Sequence, residues 1–287
     1  MEPPGPPGEV VHLRLPRPAE LFARRARRFR ELAPGNPMGE FLEALAAVAD
    51  AQGAAVARVP PSPPAVVLSS AVPLRATAHA RAPSWRDALA TLVEALRGHP
   101  WPAPAAAALR RLAGAWPEEL EALADGVVGG TPAATDLAAA PFVGAALQVY
   151  FAVHASGLPA EAIEHGQGAC PVCESAPVAG VVLGDDRLRY LACSLCGSEW
   201  NLPRIRCWNC RSTGGIRYLG VAGDAGATKA EACSHCMAYL KLFYLDRMPA
   251  AEPLADDVAS LTLDLLAAQE GWGRSGVNLF LLGGAEG

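Results

Sequence analysis

Eight cysteines stand in four Cys-x-x-Cys pairs, Cys170/Cys173, Cys193/Cys196, Cys207/Cys210 and Cys233/Cys236, and the sequence contains no others. Two intervening residues let both sulfurs of a tight turn reach one ion, at about 2.3 Å for zinc. A second pair must arrive from another hairpin to complete a tetrahedron, so four pairs make two sites. Successive pairs are separated by 19, 10 and 22 residues. These spacings favour joining the first pair to the second and the third to the fourth, with a cross-braced arrangement, first to third and second to fourth, as the alternative. Thiolates suit both iron and zinc, so the donor set does not choose the ion. Four thiolates also close the coordination shell, whereas a catalytic zinc keeps one position open, and hydrolysis at these sites is not expected. His235, inside the fourth pair, reads as a turn residue beside a ligand set that is already complete.

Pro171 within the first pair and Gly197 directly after the second suit a rubredoxin-type or zinc-ribbon knuckle, in which a residue of positive φ turns backbone N–H groups toward sulfur. Glu174 and Met237 do not meet that preference, which predicts strain or another turn after the first and fourth pairs. A segment as short as Cys170 to Cys196 cannot bury enough apolar surface to fold alone, while a structural tetrathiolate site supplies on the order of 10 to 16 kcal/mol. Metal and fold are therefore expected to be inseparable. A dication held by four thiolates carries −2, so two filled sites move the formal charge from −5 to −9. Arg187, Arg189, Arg204 and Arg206 flank the pairs and are candidates to offset that charge. The remaining histidines, His12, His79, His99, His154 and His165, have no ligand spacing. Without a phosphate-cradling glycine loop, a nucleophile elbow or an acid/base pair, the sequence does not read as an enzyme.

Elements that would hold the pairs follow from periodicity. Phe22, Ala26, Phe29 and Ala33 mark one face of a helix over Glu20 to Ala33, with Arg24, Arg27 and Arg28 opposite. Asn36 as N-cap and Pro37 at the first helical position predict a second helix. Ser84 with Asp87 resembles a capping box for a helix ending before Gly98. Further helices are expected over Ala105 to Trp116, Pro117 to Asp125, Asp136 to Ala155 and Pro159 to His165. At Gly166 the texture changes to Gly, Cys and short β-prone runs, Val178 to Leu183, Leu188 to Leu191 and Ile216 to Val221. A last helix, Ala255 to Gln269, would turn Val258, Leu261 and Leu265 inward and Asp257, Ser260 and Asp264 outward. The expected domains are 1–165, helical; 166–205 and 206–250, one four-cysteine module each; and 251–287, a helix and tail.

At 287 residues and 51% hydrophobic, the chain can bury a substantial core. Residues 1–165 carry 14 basic and 16 acidic side chains, and 166–287 carry 10 and 13. With a pI of about 5.7, that balance argues against a ribbon-type nucleic-acid binder. The proline-rich start has no signal-peptide pattern, and the most hydrophobic window, Leu137 to Val153, contains Pro141, Gly144 and Gln148 and falls short of the ~20 residues a membrane helix needs. Stable membrane insertion is not expected, and clustered free cysteines fit the reducing cytoplasm.

Around the cysteines stand CPVCESAPVAG from Cys170, LRYLACSLCGSEW from Leu188, RIRCWNC from Arg204, KAEACSHCMAYLK from Lys229 and ADDVASLTLD from Ala255, and upstream FARRARRFRELAPGNP from Phe22. Together these resemble the FdhE-type formate dehydrogenase accessory proteins. The resemblance implies a cytoplasmic assembly factor for respiratory formate dehydrogenases, with their catalytic subunit as partner. It also implies rubredoxin-like modules whose eight cysteines can hold iron. The expected fold is thus α+β and multidomain: an all-α N-terminal domain, two tandem rubredoxin-like or zinc-ribbon modules, and a C-terminal helix. A rubredoxin-like electron carrier and a zinc-ribbon nucleic-acid-binding protein are the alternative readings. Arg24, Arg27 and Arg28, and Asp256, Asp257 and Asp264, are candidate partner contacts, although a solvated polar helix face is the commoner meaning of such residues.

Overall fold

In the first half, residues spaced at three and four bury one face of each helix and build a helical layer. The computed structural model describes residues 10–61, 72–164, 168–184, 188–221 and 226–282. A two-residue strand β1 (Leu13–Arg14) leads into helix α1 (Pro18–Leu32), which buries Phe22, Ala26 and Phe29. Helix α2 (Gly39–Ala55) begins two residues later than Pro37 predicts. The cause is local: Asn36 Oδ1 accepts the Met38 N–H at 2.9 Å in a turn ahead of the helix. Helix α3 (Ser84–Leu96) carries Ser84 inside its first turn with no side-chain cap, so the expected capping box is not formed. Helices α4 (Ala103–Gly114) and α5 (Pro117–Val128) each open with proline in the first turn, where the missing N–H leaves no helical bond unmade.

Helix α6 (Ala140–Ser156) is strongly hydrophobic and is buried along nearly its whole length, with α1, α2, α3 and α5 packed against it. The helix expected over Pro159 to His165 is a single 3-10 turn at Ala160–Ala162. So short a segment cannot offset helix nucleation without an apolar face to bury. His165, the Gly166 boundary and Arg187 lie outside the described residues.

The cysteine half folds as one continuous sheet. Its strands are β2 (Pro177–Leu183), β3 (Leu188–Cys193), β4 (Glu199–Asn201), β5 (Ile216–Leu219), β6 (Thr228–Cys233) and β7 (Ala238–Tyr244). They run in the order β1-β4-β3-β2-β7-β6-β5, with β8 (Gly273–Arg274) also pairing β7. Two antiparallel meanders, β2-β3-β4 and β5-β6-β7, meet where β2 runs parallel to β7, Gly180 opposite Leu242. A Cβ at Gly180 would lie 2.6 Å from Leu242 Cδ2, so glycine permits this close seam.

The expected single C-terminal helix is two, α7 (Pro253–Ala259) and α8 (Leu261–Gln269), broken at Ser260. Val258 faces inward as expected, but Asp257 and Leu265 exchange the facings expected of them. Asp257 is fully buried, whereas Leu265 is 66% exposed. The reason is electrostatic: Lys241 of β7 and Arg274 of β8 draw Asp257 and Asp264 inward into ion pairs.

Candidate metal centres

Each meander presents two knuckles to one another by the same construction. Pro177 of β2 pairs with Cys193 at the end of β3, and Ile216 of β5 pairs with Cys233 at the end of β6. This register sets the knuckle before each hairpin against the knuckle at its far end. Cys170, Cys173, Cys193 and Cys196 form one group and Cys207, Cys210, Cys233 and Cys236 the other, all sulfurs within a group lying within 4.8 Å of one another. The sequential pairing is therefore the one formed, and the cross-braced alternative is not.

Sulfur–sulfur separations are 3.6 Å for Cys170/Cys196 and 3.4 Å for Cys173/Cys193 in the first group, and 3.8 Å for Cys207/Cys236 and 3.6 Å for Cys210/Cys233 in the second. A disulfide would need about 2.05 Å. A regular tetrahedron of ~2.3 Å metal–sulfur bonds has edges of about 3.8 Å. The donor sets fit a four-coordinate, thiophilic ion.

All four knuckles share one turn. The residue after each second cysteine has positive φ: Glu174 at 64°, Gly197 at 73°, Arg211 at 65° and Met237 at 53°. Glu174 and Met237 thus take the strained conformation their chemistry disfavours, and no other turn replaces it. Closing bonds recur, with Cys170, Cys193 and Cys207 donating their N–H groups to the carbonyls of Ser175, Ser198 and Ser212. The turn aims N–H groups at the leading sulfur, as Leu195 and Cys196 donate to Cys193 Sγ at 3.3 and 3.4 Å.

Burial pushes the thiols of Cys170 and Cys196 well up, and that of Cys207 up to about 12. At Cys173 burial acts the same way, but hydrogen bonds from the three neighbouring thiols outweigh it and hold this group well down. So many sulfurs cannot all ionise in so small a volume without a cation to balance them. Two of the arginines expected to offset the sites, Arg189 and Arg204, do other work. Arg189 is fully buried, pairs with Glu231 and donates to the carbonyls of Leu202, Pro203 and Arg206. Arg204 lies over the rings of Tyr218 and Tyr244.

Along its length this chain matches known proteins. Residues 10–167, 169–204 and 205–281 match, in turn, the N-terminal, central and C-terminal domains of FdhE. The chain belongs to the FdhE family. An FdhE homologue of Cronobacter sakazakii is 38% identical over 286 residues, covering 96% of this chain and 92% of the homologue. FdhE of Escherichia coli is 36% identical over 289 residues, with the same coverage. The crystal structure of the FdhE protein from Pseudomonas aeruginosa gives a TM-score of 0.85 at 36% identity, covering 96% of this chain and all of that one.

The sequence words that carry the FdhE resemblance meet one another in space. Arg25 is buried and binds Glu252 and Gln148. Gln148 in turn donates to the carbonyl of Ser194, inside the second knuckle, at 2.8 Å. Arg28 forms a two-pronged pair with Asp256 at 2.7 to 3.2 Å. Lys241 meets Asp257 and Asp264, and Tyr239 donates to Asp264 at 2.6 Å. Of the six candidate partner contacts, Arg28, Asp256, Asp257 and Asp264 are thus engaged inside the chain, and Arg24 and Arg27 remain exposed. The Lys241, Asp257, Asp264, Tyr239 and Arg274 cluster leaves no space for a water molecule. A buried, dry network of this kind ties elements together.

Proposed function

We propose that this FdhE-family chain is an assembly factor for a respiratory formate dehydrogenase, acting on its catalytic subunit, with an ion held in each four-cysteine site. One observation carries the reading: the family match spans the whole fold and includes both complete donor sets. The repeated positive-φ turn supports rubredoxin-like or zinc-ribbon knuckles, and soft thiolates suit iron and zinc alike. Closed shells support an accessory role in preference to catalysis. No helix among the described residues is long and apolar enough to cross a membrane, and reduced, clustered cysteines fit the cytoplasm.

Deleting the gene is expected to abolish formate dehydrogenase activity, with the tagged chain copurifying with the catalytic subunit. Full activity in the deletion strain would sink the proposal. An electron-carrier reading draws on one feature, the solvent-facing Cys210 of the second site. Colourless protein with stoichiometric zinc would rule it out.

A further inference from the structure

The two four-sulfur groups have nearly the same internal geometry and opposite surroundings. In the first, Cys170, Cys173, Cys193 and Cys196 are all at most 4% exposed. The helical half covers it. Leu74 and Ala76 donate their N–H groups to the carbonyls of Val172 and Cys173 at 2.8 and 2.9 Å, laying a segment across the first knuckle. Gln148 holds the second knuckle from the buried helix α6. Leu21 packs so closely on Gly197 that a Cβ there would lie 2.7 Å from its Cδ2. The intervening residues, Pro171, Val172, Ser194 and Leu195, are buried as well.

In the second group Cys210 is exposed and Cys236 half-buried. Their neighbours Asn209, Arg211, Ser234, His235 and Met237 are exposed. Trp208 pins the third knuckle to the C-terminal tail through Ser275 at 3.0 Å, and Cys210 lies beyond that anchor.

We propose that the second site is an exchange site, whose ion passes to and from thiolate ligands of another molecule across the Cys210 edge, while the first site gives up its ion only through local unfolding. The inference rests on both sites holding an ion. Ion transfer is a ligand substitution: an incoming sulfur bonds the ion as its bond to Cys210 Sγ breaks, and the proton released by the incoming thiol ends on Cys210. No electron changes hands. Attack needs an exposed sulfur edge, which the second site offers in the native state. The first site offers one only after local unfolding, and its exchange is slowed by the population of that open form.

Zinc-loaded, full-length protein with two ions per chain is mixed rapidly with excess pyridylazoresorcinol. Two release phases of equal amplitude are expected, separated at least about tenfold in rate, the ratio that 1.4 kcal/mol of opening free energy produces. Cys210→Ser is expected to remove the fast phase and keep the slow one. In the unmodified protein, brief N-ethylmaleimide treatment and peptide mapping should find label at Cys210 and Cys236 first. One release phase for both ions, or labelling of the Cys170 group as early as Cys210, overturns the inference alone. Protein that cannot be loaded with two ions overturns it together with the metal reading, whereas the role in formate dehydrogenase assembly is judged separately by the deletion strain.

Discussion

Three side chains, Glu174, Arg211 and Met237, hold positive φ at a position built for glycine. For an L-residue this conformation costs roughly 1–2 kcal/mol. The surrounding knuckle imposes it, because the chain must turn back there, as when Cys170 and Cys207 donate their N–H groups to the Ser175 and Ser212 carbonyls just beyond the turn. Met237→Gly and Arg211→Gly are therefore expected to raise stability by about 1 kcal/mol each, measured as the midpoint of denaturant unfolding with metal bound. Gly197→Ala should act in the opposite sense, since it adds both backbone strain and a clash with Leu21. Unchanged midpoints for all three would mean that the turn is not under strain.

Between elements, buried ion pairs fix how the layers sit. Arg189 of β3 and Glu231 of β6 join the two meanders across the sheet, their side chains 0% and 4% exposed. Burial pushes the Glu231 carboxyl up, against the opposing pull of Arg189. Removing the guanidinium would take away the cation in contact with a buried carboxylate, leaving it the Tyr218 hydroxyl and the more distant Arg204, so Arg189→Met is expected to destabilise by about 3–5 kcal/mol. Arg75 and Glu174 form a pair whose side chains are 45% and 43% exposed, and Arg75→Met should cost no more than about 1 kcal/mol. Equal losses for the two variants in urea unfolding would show that Arg189 does not brace the sheet.

Across the whole molecule, helix α1 and the C-terminal segment are far apart in sequence and locked together. Arg25 meets Glu252, Arg28 meets Asp256, and Asn36 donates to the Ala259 carbonyl at 3.2 Å. The helical half therefore depends on residues beyond the second four-cysteine group. A chain ending at residue 250 would leave Arg25 buried without Glu252. It is expected to lose several kcal/mol of stability, seen as a lower thermal midpoint of the helical signal. A truncated chain melting at the full-length temperature would mean that the helical half folds independently of this clasp.

The sequence by itself determined the candidate ligands, their sequential pairing preference and most helices, because cysteine spacing and helical periodicity are local properties of the chain. It also carried the family, since the words around the cysteines are contiguous. Tertiary structure alone decided which charged residues face inward. Asp257 sits on a sequence-polar helix face, yet Lys241 and Arg274, from strands distant in the chain, make the interior its lower-energy place. The same holds for the contrast between the two metal groups. The same Cys-x-x-Cys spacing within every pair cannot encode cover that arrives from Leu74, Gln148 and Leu21, because burial is a property of what packs on a residue from elsewhere.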